Sequence, residues 1–204
     1  MPSDVVQSQG LVLGFDTSAA HCAAALLSGD HIIAHHADSM ARGQGERLMG
    51  LLQDLLDGAG HKWCDLTALG VGIGPGNFTG IRISVAAARG LALSLRIPAI
   101  GVSSFEATAL TRLSPFTASV AGPRDQLYTQ VFSTEGAQAP RLVDASEIDR
   151  EIPHIPCSAP LELVDQITRI AAQRTDTPYP RPAPLYIKAA DAAPSRDPAP
   201  TLLA

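Results

Sequence analysis

The chain has few aromatic and charged residues: aromatic side chains make up 4% and charged ones 17% of its 204 residues. Lysine and arginine number 15 against 20 acidic residues, which gives a formal net charge of -5. A protein that grips phosphates on its own usually carries a clustered basic excess. We therefore expect any contact with nucleic acid to be made through a partner.

Several other features are missing. Three widely separated cysteines, Cys22, Cys64 and Cys157, fit neither a disulfide framework nor a zinc site. The six histidines show no spacing typical of a metal site, so we expect no metal. The first ten residues lack a signal peptide, and we find no apolar run of about 18 residues that would span a bilayer. We expect a cytoplasmic protein without membrane contact.

Apolar runs predict an α/β protein whose first part has the order three strands, helix, strand, helix, strand. The second helix, over 81–95, connects two strands that need a crossover and hence a parallel pairing. The sheet is therefore predicted to be mixed. Its strands are predicted over residues 11–15, 22–27, 32–37, 69–73 and 98–102.

The first helix is predicted over 45–57, and its apolar side is wider than one sheet contact needs. The second helix, which Asn77 or Thr79 would cap, has a face of small residues that lets another backbone approach closely. These faces serve either the core or another subunit. The candidate partner interface comprises Leu48, Met49, Leu52, Leu56, Ala88 and Ala92.

The remainder gives weaker patterns, with strands predicted over 117–120 and 126–132 and a helix over 161–173. The end is rich in proline, which leaves 184–188 as a candidate docked strand. We divide the chain into an N-terminal lobe (10–108), a second lobe (109–178) and a proline-rich tail (179–204) that we expect to be partly disordered.

Two segments are candidates for binding a nucleotide. The loop over 72–80 holds four glycines between a strand and a helix, a context in which backbone N–H groups meet phosphates. The alternative is that the glycines only permit a tight turn. Asp16, Thr17 and Ser18 lie between the first two strands and would either face a metal-bound phosphate or form their own turn. Within the loop, the candidates are Gly74, Gly76 and Thr79.

The residues of this loop also resemble a known family. Gly74-Pro75-Gly76-Asn77-Phe78-Thr79-Gly80-Ile81-Arg82-Ile83 is similar to the signature of the bacterial TsaB (YeaZ) proteins. Leu13 to Ser18, Arg42 to Leu48 and Pro184 to Lys188 fit the same pattern in the same order. The resemblance is close up to about residue 110 and thin beyond it.

The resemblance implies an actin-like ATPase (ASKHA, ribonuclease H-like) fold of two lobes, of which the second is shortened here. It implies a non-catalytic subunit that binds and activates the catalytic subunit TsaD, as a heterodimer, in threonylcarbamoyladenosine modification of tRNA beside the anticodon. The ATPase TsaE is the other implied partner, and tRNA is reached only through the complex. The chain would need no cofactor, with ATP or ADP acting at the complex, and would form a homodimer when alone.

The resemblance further implies a pseudoenzyme. The paralogous enzyme holds its metal with two histidines in a His-x-x-x-His segment, and Ser104 and Thr108 stand at those positions here. Neutral hydroxyls are poor substitutes for imidazole on a transition metal. The chain departs from the family at Gln44, where relatives often have histidine, and at 121–123, where they often carry Asp-Ala-Arg. The alternative function is a stand-alone ATP-binding phosphotransferase or ATPase that uses Asp16 and the glycine loop.

Overall fold

Two sheets organise the chain, of which a computed structural model describes residues 10–149, 151–175 and 180–187. The strands of the first sheet are β1 (Leu11–Asp16), β2 (His21–Ser28), β3 (His31–Ser39), β4 (Leu66–Gly72) and β5 (Ala99–Val102). They lie in the order β3-β2-β1-β4-β5. β2 is antiparallel to β1 and β3, whereas β4 is parallel to β1 and β5. The predicted mixed sheet is confirmed.

Helices cover both faces of this sheet. They are α1 (Gln44–Gly58), α2 (Phe78–Leu95), α3 (Ser104–Ala109) and α4 (Pro160–Gln173). Along β1, Leu13 and Phe15 face α1 and α2, whereas Val12 and Gly14 face α4. Burial on both faces explains why β1 is apolar throughout instead of alternating with polar residues.

The two longest predicted helices are confirmed. α1 exceeds its predicted range by one residue at each end. α2 begins at Phe78, three residues earlier than predicted, because the Asn77 side chain accepts a hydrogen bond from the Gly80 amide (2.9 Å) and caps the helix there. The choice between Asn77 and Thr79 as cap is thereby decided in favour of Asn77.

A second, smaller sheet follows. Its strands are β6 (Phe116–Ala121), β7 (Gln126–Ser133), β8 (Gly136–Ala137), β9 (Arg141–Asp144) and β10 (His154–Pro156). β6 pairs with β7 and β10, and β7 also pairs with β8 and β9. The sheet shares a small core with α3, in which the Phe116 and Phe132 rings stack with centroids 4.9 Å apart. Both strands that the sequence predicts here are confirmed.

The helix predicted at 161–173 exists as α4, but it packs on the first sheet. Its apolar side contacts Val12, Ala68 and Ile100. Gly14 and Gly70 make room for it, since a methyl group on Gly70 would lie 2.9 Å from the Ala171 Cβ atom. The boundary predicted at residue 109 is therefore wrong for α4, which belongs structurally to the N-terminal lobe.

The end of the chain differs from the prediction. Residues 184–187 form no strand, and Lys188 lies outside the described residues. The segment still docks, because the Leu185 amide donates to the Ile73 carbonyl (2.8 Å). The expected disorder concerns residues of the tail that the structure does not describe.

α2 has one further property. Among the described residues, this 18-residue helix is the one that is long and apolar enough to cross a membrane by length and composition. The expectation that the chain contains no such run is therefore wrong. One side of α2, with Ile81, Val85 and Ala88, packs on the sheet, yet only 28% of the helix is buried. The outer side of the helix is mixed, because it carries Phe78 and Leu93 as well as Arg82 and Arg89.

Candidate functional site

The turn after β1 and the glycine loop after β4 meet at one edge of the first sheet. β1 and β4 are parallel neighbours, so their carboxyl ends lie side by side. The Thr17 hydroxyl donates to the Gly80 carbonyl (2.7 Å), and the Asn77 amide donates to the Ser18 carbonyl (2.6 Å). The two candidate nucleotide-binding segments are thus brought together, as the sequence predicts, and they bind each other.

The glycines permit this close approach. A methyl group at Gly80 would overlap the Thr17 carbonyl oxygen, and one at Gly76 would overlap that of Ser18. Gly74 adopts a φ of 92°, a left-handed conformation that side chains disfavour. Thr79 is exposed at the start of α2. The packing of the loop against the turn therefore accounts for these glycines without a ligand.

Asp16 is the charged group at the centre of this contact, and it is completely buried. Its Oδ1 atom accepts hydrogen bonds from the Ser18 amide (3.0 Å) and the Ser18 hydroxyl (2.9 Å). The His21 Nε2 atom lies 2.7 Å from the same oxygen. The other oxygen, Oδ2, lies beside Gly72 and has no hydrogen-bond partner among the described residues. The sequence analysis did not assign His21 to this site, although its position at the start of β2 was a signal.

These contacts test whether the residues fit the magnesium nucleotide that the fold family implies. A phosphate needs free backbone N–H groups. Here the amide of Asn77 is bonded to Ser18, and that of Gly80 is bonded to the Asn77 side chain. Magnesium needs an accessible carboxylate, but Asp16 is enclosed. In this arrangement the residues do not fit a magnesium-bound phosphate.

A cleft of about 620 Å³ lies beside Asp16, between the two sheets. Ser18 and His21 line one wall, and Ser119 and His154 line the other. The His154 Nε2 atom lies 2.7 Å from the Ser119 Oγ atom, a pairing that the sequence analysis missed because the two residues are 35 positions apart. The cleft is largely apolar and, among the described residues, lysine and arginine are missing from its lining.

Ser104 and Thr108 lie in α3 close to this cleft and are buried. The Thr108 hydroxyl donates to the Ser104 carbonyl (2.8 Å), and both side chains lie beside the Cys157 thiol. Burial raises the pKa of Cys157 to about 11, so the thiol is neutral at pH 7. No group of three metal-binding side chains occurs in the described part of the chain. The expected lack of a metal stays a prediction.

The predicted partner interface needs correction. Leu48, Leu52, Leu56 and Ala88 are buried in the core between the helices and the first sheet, so they offer no surface to another subunit. The wide apolar side of α1 is explained by its contacts with β2, β3 and α2 within one core. Met49 remains at the surface of α1 with 44% exposure, and Ala92 of α2 is half-buried.

Other surface residues of α1 and α2 were missed by the sequence analysis. Phe78 and Leu93 on α2 are 49% and 83% exposed. Near Met49, Arg47 donates to Asp38 (2.6 Å) and to Asp54 (3.0 Å) and thereby connects α1 to the end of β3. The hydrogen bond from Arg47, with a second one from the neighbouring histidine, lowers the pKa of Asp38.

The chain is similar in sequence to a known protein family and to several curated proteins. Residues 31–148, more than half of the chain, match the family described as "TsaD: tRNA N6-adenosine threonylcarbamoyltransferase". The tRNA threonylcarbamoyladenosine biosynthesis protein TsaB of Escherichia coli is 39% identical over 93 residues, which are 46% of this chain and 40% of that protein. TsaB of Bacillus subtilis is 38% identical over 98 residues, 48% of this chain and 43% of that protein.

A curated tRNA N6-adenosine threonylcarbamoyltransferase, from Granulibacter bethesdensis, is 33% identical over 128 residues, 55% of this chain and 35% of that protein. The chain thus spans less than half the length of each of these three relatives.

Solved structures agree on the fold. YeaZ from Pseudomonas aeruginosa superposes with a TM-score of 0.66 at 20% identity, over 87% of this chain and 99% of that one. A second structure, titled as an uncharacterized protein with similarity to peptidase YEAZ from Pseudomonas aeruginosa, gives 0.71 at 21%, over 88% and 100%. At these identities the likeness shows the fold alone, and the actin-like assignment is confirmed. The family match shows that this chain belongs to the family described as TsaD, and its TsaB relatives assign it to the TsaB (YeaZ) proteins.

Proposed function

We propose that this chain takes part in tRNA threonylcarbamoyladenosine biosynthesis as a non-catalytic subunit that binds and activates TsaD. The observation that carries the proposal is the buried Ser104–Thr108 pair in a chain of this family. These residues stand where the resemblance puts two metal-binding histidines. Neutral hydroxyls beside a neutral thiol, of which that of Thr108 is already bonded within α3, are poor ligands for a transition metal. The same proposal places the protein in the cytoplasm.

The chain in this proposal needs no nucleotide of its own. The local packing supports this, because protein atoms already bond the amides of Asn77 and Gly80, and the Asp16 carboxylate is enclosed. ATP or ADP then acts at the complex that contains TsaD and TsaE. The net charge of -5 supports tRNA contact through the complex alone.

The surface we assign to TsaD consists of the exposed sides of α1 and α2. It has exposed apolar side chains, Met49, Phe78 and Leu93, on two adjacent helices, together with the half-buried Ala92. Interfaces are built around such apolar anchors. In the absence of TsaD, we expect a second copy of the chain to cover the same surface and form a homodimer.

The test uses the double variant Met49→Glu/Leu93→Glu in a reconstituted mixture with TsaC, TsaD and TsaE. Both side chains are exposed, so we expect the variant to fold normally, whereas a charge at Leu52 or Ala88 would be buried and would unfold the chain. We expect the affinity for TsaD to fall by about tenfold or more. Threonylcarbamoyladenosine formation on tRNA should fall with it.

The matched control is Leu113→Glu, at a residue that is 94% exposed and lies between α3 and β6. We expect this variant to bind TsaD and to support the reaction like the wild type. Unchanged TsaD binding by the double variant would refute the interface. Undiminished product without this chain, or ATP turnover by the chain alone, would refute the subunit role and favour the stand-alone ATPase.

A further inference from the structure

Residues 180–187 run across α2 and reach the second sheet. At one end of this segment, the Arg89 Nε atom donates to the Pro182 carbonyl (2.7 Å). Further along, the Leu185 amide donates to the carbonyl of Ile73, which directly follows β4. The backbone of the segment is therefore bonded to the first sheet and to its helix.

The side chain of Tyr186 adds a second attachment at the surface of α2. Its ring stacks on the Phe78 ring with centroids 5.3 Å apart, and its hydroxyl accepts a hydrogen bond from Arg82 Nε (2.8 Å). The Arg82 guanidinium lies 3.6 Å from the centre of the Phe78 ring. A cation held over an aromatic face is attracted to it, and a hydrogen bond from a charged donor is stronger than a neutral one.

The same segment also belongs to the core of the second sheet. Leu185 and Ile187 pack against Phe105 of α3 and against Phe116 and Ala118 of β6. Consecutive residues therefore contact α2 at the surface and the second sheet below it. The segment connects the two sheets through side chains, in addition to the chain connections between them.

The attachment points flank the glycine loop. Ile73 directly precedes Gly74, and Phe78 directly follows Asn77, while Gly76 and Asn77 line the cleft between the sheets. The loop is also bonded to α3, since the Ser104 amide donates to the Gly74 carbonyl (2.9 Å). Residues 180–187 therefore contact both ends of the loop that forms part of the cleft.

We propose that residues 180–187 form a clasp that fixes the glycine loop and the second sheet relative to each other and so sets the width of the cleft. The aromatic contact of the clasp is accessible to other molecules. The Tyr186 ring is 47% exposed and Phe78 is 49% exposed, so a molecule that binds these two rings competes directly with the Phe78–Tyr186–Arg82 contact. Release of the whole segment removes one of the contacts at each end of the loop. This inference does not depend on the proposed function.

Hydrogen exchange followed by mass spectrometry tests the clasp in the full chain. Tyr186→Ala removes the stack and the hydrogen bond, Tyr186→Phe removes only the hydrogen bond, and Arg82→Ala removes the cation. We expect Tyr186→Ala and Arg82→Ala to accelerate exchange at the Asn77 and Ser104 amides and along β6 and β7 by about tenfold, with Tyr186→Phe intermediate. Exchange in α1 should stay unchanged. The control, Arg112→Ala, alters an exposed arginine outside the clasp and should match the wild type.

Two results would contradict the clasp proposal. Faster exchange confined to 180–187, with the glycine loop and β6 as in the wild type, would show that the segment only covers the surface and would overturn the proposal. A uniform increase over all elements, including α1, would indicate general destabilisation and would overturn it as well. If Tyr186→Ala does not fold, Tyr186→Phe and Arg82→Ala give the same decision.

Discussion

The same substitution at two glycines of α2 should change stability in opposite directions. Gly80 lies in the first turn, where its carbonyl accepts the Thr17 hydroxyl. Gly90 lies about three turns further along, is exposed, and has no other heavy atom within 4 Å of an added methyl group. Both positions are helical, so intrinsic helix propensity favours alanine equally at each. Any difference between the two variants reports on what surrounds the glycine.

The magnitudes follow from these surroundings. At Gly90 the propensity gain acts alone, and we expect Gly90→Ala to stabilise the fold by about 0.5–1 kcal/mol. At Gly80 the new methyl group overlaps the backbone carbonyl of Thr17, which is not the end of a flexible side chain. The turn must therefore move, and overpacking of this kind costs about 1–3 kcal/mol. The displaced Thr17–Gly80 hydrogen bond adds about 0.5–1.5 kcal/mol.

Subtracting the propensity gain leaves a net destabilisation of about 0.5–4 kcal/mol for Gly80→Ala. Urea unfolding monitored by circular dichroism measures both variants, and an unchanged slope with denaturant identifies a change in stability rather than in the denatured state. Equal stability of Gly80→Ala and Gly90→Ala would refute the view that the glycine loop is required for packing against the β1–β2 turn. Strong stabilisation of the wild type by magnesium ATP would refute it independently.

Two further predictions concern titratable groups. Burial raises the pKa of both the Cys22 and the Cys157 thiols to about 11, whereas Cys64 is exposed. An aromatic disulfide reagent near pH 8 should therefore titrate one thiol rapidly in the native chain and three in denaturant. Rapid reaction of Cys157 would contradict the described packing. Because Arg47 lowers the folded-state pKa of Asp38 below 3.8, the stabilisation from this partly exposed pair is complete above that pH and is lost as pH falls through the lowered value. Unfolding free energies measured between pH 6 and pH 2 should therefore show a low-pH loss, of at most about 1 kcal/mol, that Asp38→Asn lacks.

The elements that the sequence predicts well are those with a strong periodic pattern. α1 is recognisable because five leucines recur at helical spacing and all of them are buried against the sheet. The start of α2 is less visible, since Phe78 and Thr79 continue a glycine-rich loop. The short helix α3 was missed, although Ser103 and Glu106 form a capping box, in which the Ser103 hydroxyl accepts from the Glu106 amide (3.1 Å). That local signal was available.

The position of α4 could not be read from local patterns. Its apolar side predicts a helix, but the strands β1 and β4, against which it packs, lie about 100 to 150 residues earlier in the chain. Gly14 and Gly70 leave the space that α4 fills, next to Thr168 and Ala171. Such complementarity appears only when the strands are aligned in three dimensions. A division of the chain by sequence order alone therefore assigned α4 to the wrong lobe.

The chemistry of the candidate site, too, could be predicted only in part from local sequence patterns. Residue types identified Asp16 and the glycine loop as two separate candidates, and the structure brings their segments together. What residue types do not show is how closely the two segments approach, which depends on the register between β1 and β4. A separation larger by the size of a phosphate would leave the Asn77 amide free for a ligand. At the observed separation, the Ser18 carbonyl accepts its hydrogen bond.

This close packing explains why a chain without a fitting nucleotide site would still retain the glycine loop. The contacts of Asn77 and Gly80 with the β1–β2 turn fix where α2 begins and how it is oriented on the sheet. The outer side of α2 then carries both Phe78, which holds the clasp, and Leu93, which belongs to the surface proposed for TsaD. In the proposed function, the loop would position a docking helix. Loss of the Gly80 packing should therefore weaken TsaD binding as well as the fold, even though Gly80 itself is buried.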